Sequence, residues 1–108
     1  MDERVPVVFG AAALAGPRDA LLLDAGVAVD AAAGAVARLP AAAAGHRIGC
    51  ACCQPRGAAA EAPGRLFLAR ARGEMPFFRR VLVSVADPAA VRAAVLEDRL
   101  LAGRYRLD

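Results

Sequence analysis

The sequence contains no lysine and no tryptophan, and it holds one histidine, one tyrosine and three cysteines among its 108 residues. All 14 basic residues are therefore arginines, and alanine supplies much of the 58% hydrophobic content. Such usage is typical of a genome-wide compositional bias. The net charge of +3 therefore says little about what the protein binds.

Long apolar runs are also missing, since none approaches the roughly 20 residues needed to cross a bilayer. The first ten residues, MDERVPVVFG, are acidic before they are apolar, which is not the pattern of a signal peptide. Three closely spaced cysteines do not make a disulfide framework. We therefore expect a cytoplasmic protein without membrane contact.

Aromatic residues make up only 5% of the chain, and they are not interleaved with the arginines. Arg79 and Arg80 form the only adjacent basic pair. A nucleic-acid platform is expected to combine a basic stripe with stacking rings. The linear pattern therefore predicts no nucleic-acid partner.

Large apolar residues form five clusters, enough for one modest core and thus for a single domain over residues 1–108. The clusters are residues 5–9, 21–23, 66–68, 77–85 and 91–101. Residues 5–9 are typical of a short buried strand, and RRVLVSVAD, residues 79–87, is the clearest strand. We expect these two strands to be neighbours in a parallel sheet. Residues 47–49 are a candidate short strand.

Prolines mark the expected helix starts, at Pro17 and at Pro88, where Asp87 can cap the free amides. The first of these helices should end before Gly26, and another should run over 58–72 and stop at Gly73. Two pairs are spaced to stack on the last helix: Val91 with Val95, and Leu96 with Leu100. The alanine-rich stretch 27–45 receives no firm assignment. Alternating strands and helices predict an α/β fold, a small three-layer parallel sheet with flanking helices.

All the cysteines and the only histidine lie within eight positions, in HRIGCACCQPRG. In extended backbone, Cys50 and Cys52 point to the same side, and a turn after Cys53 would bring the third thiol round. Thiolates favour zinc or cuprous copper, and zinc prefers a fourth ligand, for which His46 is the nearest candidate. Two alternatives stay open: small buried side chains at a strand end, or a nucleophilic cysteine with His46 as its base.

The stretch GCACCQPRG, followed by a helical segment and later by VLVSVADP, resembles the middle of the CobW-type P-loop GTPases, which deliver metals, chiefly zinc. Their GCxCC hallmark, with an R-G pair after it, matches Gly49, Cys50, Cys52, Cys53 and the Arg56–Gly57 pair. The family's ADP element matches residues 86–88. The resemblance covers residues 46–108 and implies a domain resembling part of a P-loop NTPase, with residues 1–45 as a degenerate phosphate-loop region.

The phosphate loop departs from the family pattern. Where that pattern requires lysine and a Ser/Thr, the sequence has Pro17, Arg18 and Asp19, so no lysine reaches the phosphates and no hydroxyl holds magnesium. Asp19 at a helix N-terminus would also compete with phosphate for the same amides. The strand 81–88 lacks the acidic residue and the glycine that the family has there. The family's guanine-recognition motif and its C-terminal domain also have no counterpart in this sequence. GTP binding and GTPase activity are therefore not expected.

Together these features predict a nucleotide-incompetent, shortened CobW-like protein that binds a thiophilic metal, with zinc as the expected ion. The expected ligands are Cys50, Cys52 and Cys53, with His46 as the candidate fourth, and the role is that of a metal-handling accessory or metallochaperone. The alternative is a structural or regulatory interaction module without chemistry. Such a module would pair with a second copy of itself or dock on a full-length relative.

Overall fold

A computed structural model describes residues 4–29, 32–39 and 58–108 of the chain. Within them, five strands form one sheet in the order β3-β2-β4-β1-β5, and every pair is parallel. The strands are β1 (Val5–Phe9), β2 (Asp19–Leu23), β3 (Ala35–Arg38), β4 (Arg80–Ser84) and β5 (Tyr105–Leu107). The predicted α/β fold is confirmed, as is the pairing of β1 with β4, in which Val7 lies opposite Val81.

Three α-helices complete the described fold: α1 (Ala58–Ala71), α2 (Pro88–Glu97) and α3 (Arg99–Arg104). They contribute to one large core with alternate residues of the strands. Its fully buried members include Val7, Leu22, Leu66, Phe78, Val83, Val91, Leu101 and Tyr105. The opposite face of the sheet packs Leu21, Leu23 and Leu82 against Ala15 and Ala12, which belong to the β1–β2 connection. That connection holds a 3-10 helix, Ala12–Leu14.

The helix predicted to begin at Pro17 is wrong, because residues 19–23 form β2 and all five are buried. Ala20 and Leu22 pack into the core on one face of the sheet, and Leu21 and Leu23 pack into the core on the other. The strand therefore shows no alternation of polar and apolar residues that would identify it in the sequence. Pro17 occupies the second position of a turn closed by Asp19 N–H donating to Gly16 O at 3.0 Å. Proline is common at that position of a turn as well as in the first turn of a helix, so Pro17 alone does not distinguish the two.

The other helix boundaries agree more closely with the sequence. Helix α1 spans almost the whole predicted stretch, and Gly73, at φ +72°, ends it as predicted, with Glu74 N–H donating to Ala69 O in a Schellman pattern. At the start of α2, the Asp87 carboxylate accepts from Ala90 N–H and Pro88 is the first helical residue, as predicted.

The predicted stacking of Leu96 on Leu100 is wrong, although Val91 and Val95 are buried as expected. Helix α2 ends at Glu97 because Asp98 is extended and caps α3, accepting from the amides of Leu100 and Leu101.

Residues 30–31 and 40–57 lie outside the described residues. The candidate strand 47–49 and part of the stretch 27–45 fall among them, so the strand stays a prediction. Within the described residues, no helix has the length and apolar character that a membrane span requires.

Tyr105 joins the last strand to the first helix, because its hydroxyl donates to Pro63 O at 2.7 Å and its ring meets Phe67 edge-on. Removing the hydroxyl in Tyr105→Phe should lower the free energy of unfolding by about 1 kcal/mol, the typical net value of a buried hydrogen bond. Urea unfolding followed by circular dichroism measures this change. An unchanged midpoint would contradict a stabilising role for the bond.

The same residue should also make stability depend on alkaline pH. Burial raises the pKa of Tyr105 from its ordinary value of 10.0, so the unfolded chain loses its proton first as pH rises. The contribution is therefore complete below pH 10 and declines above it. Because Tyr105 is the only tyrosine and tryptophan is absent, the long-wavelength absorbance band of tyrosinate, where cysteine thiolates do not absorb, reports its ionisation alone. Tyr105→Phe should flatten that part of the stability profile.

Candidate functional site

The four predicted metal ligands, His46, Cys50, Cys52 and Cys53, all lie outside the described residues. They belong to the connection between β3 and α1. Its first end is held where Leu39 N–H donates to Leu23 O at 2.8 Å, at the carboxyl end of β3. Its other end is the start of α1, which runs back along the sheet, since Arg70 near its C-terminus donates to Phe78 O just before β4. Both ends therefore lie toward the carboxyl edge of the sheet.

That edge also contains the switch point of the fold. Strands β1 and β4 are neighbours, but β1 leads to β2 on one side and β4 leads through α2 and α3 to β5 on the other. The first connection packs on the face with the 3-10 helix, whereas the second packs on the face with the α-helices. The outgoing chains therefore separate, and in open α/β sheets ligands bind in the crevice formed at such a point.

A cavity of about 310 Å³ lies at this crevice, lined by Phe9, Pro88, Ala89 and Arg92. The Arg92 guanidinium is 5.9 Å from the centre of the Phe9 ring. Phe9 is the last residue of β1, and Gly10 N–H donates to Val83 O at 3.1 Å, which fixes the start of the outgoing loop beside β4. The lining combines one cation with apolar surface. The described residues that line it include no pair of groups placed for acid–base or nucleophilic catalysis.

Asp24, directly after β2, connects two chain segments at the carboxyl edge of the sheet. Its carboxylate accepts from Ala86 N–H at 2.7 Å and thereby ties the end of β2 to the loop after β4. The sequence interpretation missed this residue, because it assigned the segment to a helix. An aspartate directly after a buried strand is a recognisable signal once the strand is identified correctly.

Asp19 does not lie at a helix N-terminus, so its predicted competition with phosphate is corrected. It begins β2, at the amino edge of the sheet, opposite the crevice. Its carboxylate accepts from Gly16 N–H at 2.8 Å and from Arg80 Nε and Nη2 at 3.0 and 2.9 Å. The Arg80 hydrogen bonds hold the pKa of Asp19 below its ordinary value, and the same bonds raise the pKa of Arg80. The pair is structural, and Arg18 lies beside it, exposed, at the same edge.

A second group of side chains that the sequence interpretation missed lies at the amino edge. Arg70 contacts three phenylalanine rings there, at distances between 3.9 and 5.8 Å from the ring centres. The three rings belong to Phe67, Phe77 and Phe78. No sequence signal marks this cluster, because helix α1 and the segment before β4 meet only in the folded chain.

Within residues 4–29, 32–39 and 58–108, no three His, Cys, Asp or Glu side chains come together as potential metal ligands. The chain matches no protein-family model, no curated protein and no solved structure. A functional assignment must therefore rest on the chain's own residues.

Proposed function

We propose that the protein binds a thiophilic metal ion, zinc in the first instance, and acts as a small accessory in metal handling. Cys50, Cys52 and Cys53 are the proposed ligands, with His46 as the fourth. The observation that carries the proposal is the placement of every cysteine and the only histidine within eight positions of one connection. Three thiols and an imidazole are a donor set that suits zinc.

One feature of the described fold supports a ligand site on the connection between β3 and α1. The connection begins after Leu39 and ends at Ala58, and both ends lie toward the carboxyl edge of the sheet. That edge is where parallel α/β sheets hold their ligands.

The described fold also supports a role without nucleotide. The segment between β1 and β2, where the resemblance places a phosphate loop, contains a three-residue 3-10 helix and no α-helix. A P-loop cradles phosphate at the N-terminus of a full helix and neutralises it with lysine. Neither feature is present in residues 10–18, and the Asp19 carboxylate is already paired with Arg80.

Metal titration tests the proposal. Reduced wild-type protein should bind one cobalt or zinc ion per chain and show a thiolate–cobalt absorption band, because thiolates are the ligands. Cys50→Ser combined with Cys52→Ser should weaken zinc binding by at least about 100-fold and abolish the band. His46→Ala should weaken it less, since three thiolates remain. Adding GTP with magnesium should leave the titration unchanged.

The matched control is Asp24→Asn, which changes the same edge of the sheet but removes no proposed ligand; its zinc affinity should equal that of the wild type. Circular dichroism must show that the double cysteine variant keeps its fold. Equal zinc content in wild type and double variant would rule out the cysteine site. GTP-dependent binding or release would instead favour a working GTP-binding metallochaperone.

The second candidate function is an interaction module without chemistry. The observation that favours it is the exposure of Leu96 and Leu100, at 61% and 54%, on either side of the α2–α3 corner. Contiguous exposed apolar patches mark contact surfaces for other chains, and in this second proposal the two leucines belong to such a patch. Light scattering of metal-free wild type against Leu96→Ser would reveal a dimer formed through this corner.

A further inference from the structure

An exposed aromatic ring is held in a fixed position at the amino edge of the sheet. Phe77 is 67% exposed, whereas the next residue, Phe78, is 1% exposed in the core. The Arg70 guanidinium lies 3.9 Å from the centre of the Phe77 ring and covers one part of it. Arg70 is itself fixed, because its Nε donates to Phe78 O at 3.0 Å.

Such an arrangement is stabilising for the cluster but leaves most of the Phe77 ring in water. The negative face of an aromatic ring attracts a cation, and the attraction is stronger when the cation is desolvated. Burial lowers the pKa of Arg70, which agrees with partial desolvation among the rings. The ring is thus oriented before any partner arrives, and little side-chain entropy would be lost on binding.

Two exposed arginines lie at the same edge as this ring: Arg79 is two residues after Phe77, and Arg18 comes from a different part of the chain. Arg79 is exposed, because it follows the inward-pointing Phe78, and its amide donates to Arg18 O at 2.7 Å. The exposed Arg18 is therefore its direct neighbour on the adjacent chain segment. Arg104 lies 4.9 Å from the Phe67 ring of the same cluster. The nearby Asp19 carboxylate is neutralised by Arg80.

An oriented, solvent-facing ring beside exposed guanidinium groups provides a stacking surface for a base and cations for the adjoining phosphates. An acidic peptide would use the arginines but would gain little from a flat ring.

We propose that Phe77, in contact with Arg70 and with the exposed Arg18 and Arg79 at the same edge, is a binding site for single-stranded nucleic acid; we call it the Phe77 shelf. It lies at the amino edge of the sheet, opposite the switch-point crevice. It is independent of the proposed metal ligands. The class of ligand is a single strand with unpaired bases, because a paired base has no free face to stack.

Fluorescence anisotropy with two labelled 12-nucleotide strands tests the shelf, in reducing buffer with a metal chelator so that the cysteines do not contribute. One strand is oligouridylate and the other has the same backbone without bases. Wild type should bind the first strand more tightly. Phe77→Ala should weaken oligouridylate binding about tenfold, in line with the loss of one base–aromatic stack, and should change abasic-strand binding by less than about twofold.

Arg79→Gln should weaken both strands and make the slope of log affinity against log salt shallower by roughly one. The matched controls are Leu96→Ala, an exposed apolar residue elsewhere, and Arg92→Gln, an exposed arginine at the opposite edge; neither should alter the stacking preference. Equal affinity for the two strands, absence of binding, or the same Phe77 dependence with an acidic peptide would each overturn the proposal.

Discussion

Gly34→Ala should lower the free energy of unfolding by about 3 kcal/mol or more, the upper end of the range for overpacking. A Cβ atom at residue 34 would lie 2.2 Å from the carbonyl oxygen of Pro17, well inside van der Waals contact. That oxygen belongs to the backbone, so a change of side-chain rotamer cannot relieve the clash. Gly34 N–H also donates to Asp19 O at 3.0 Å, which fixes the segment next to β2. Since small domains are stable by only about 5–15 kcal/mol, the variant should unfold at a clearly lower urea concentration.

Gly103→Ala is the matched control. A Cβ at residue 103 meets no atom within 4 Å, and the residue lies in α3. The same change should therefore raise stability, by up to about 0.5–1 kcal/mol, because alanine loses less conformational freedom in a helix. Comparable urea midpoints for the two variants would show that β3 does not approach the Pro17 turn as closely as described.

The elements that sequence predicted correctly are those with two independent signals. Strand β4 combines a β-branched run with flanking charge, and α2 combines a capping aspartate with proline at its first position. Helix α1 was recognised in spite of Pro63, because a long alanine-rich segment ends at a glycine that can adopt positive φ. In these cases local propensity and tertiary packing favour the same conformation.

The failures occurred where one signal has two physical meanings. The three leucines of β2 form a short apolar run, which a buried strand and a buried helix share. Only the neighbouring strands decide between them, and the strongest partner, β4, is distant in the chain. The same applies to β3, whose AVAR sequence has few residues of high β-propensity. Its conformation depends on pairing with β2.

The two candidate sites differ in how far sequence could reveal them. The cysteine cluster is local in the chain, so composition and spacing were sufficient to predict it, and it stays a prediction because it lies outside the described residues. The Phe77 shelf is formed by one helix residue, two residues before β4 and one turn residue. Their proximity depends on the parallel pairing of β2 with β4, in which Asp19 lies opposite Arg80.

That register leads to the second large effect, the loss of the Asp19–Arg80 ion pair. In Asp19→Ala we expect the free energy of unfolding to fall by about 2–3 kcal/mol. The carboxylate side chain is only 12% exposed and accepts three hydrogen bonds, so its removal leaves Arg80 and the Gly16 amide without this partner. The effect should be smaller than for a fully buried pair, because the Arg80 side chain is 40% exposed and water can solvate it.

A double-mutant cycle measures the interaction energy between Asp19 and Arg80 separately from their other contacts. Asp19→Asn and Arg80→Gln, alone and together, should give a coupling energy of about 1–2 kcal/mol. The control is the Arg106–Asp108 pair, which has the same 2.9 Å separation but a carboxylate side chain that is 53% exposed, against 12% for Asp19. Asp108→Asn should change stability by less than about 0.5 kcal/mol. Equal effects at the two pairs would show that burial of Asp19 does not strengthen its interaction.

The Asp19–Arg80 pair should also change how the free energy of unfolding depends on pH in acid. The bonds from Arg80 and Gly16 lower the pKa of Asp19 from its ordinary value of 3.8, so the folded protein keeps this carboxylate ionised at pH values where the unfolded chain binds a proton. Its contribution is therefore complete well above pH 3.8 and is lost as pH falls through the folded-state pKa. In Asp19→Asn the side chain no longer titrates, and the decline of stability below pH 4 should become shallower while stability at neutral pH is already reduced. Urea titrations at several pH values between neutrality and about pH 3 would measure both differences. A variant whose acid profile runs parallel to that of the wild type would show that Asp19 has the same pKa in the folded and unfolded states, and that the close contact with Arg80 does not stabilise its charge.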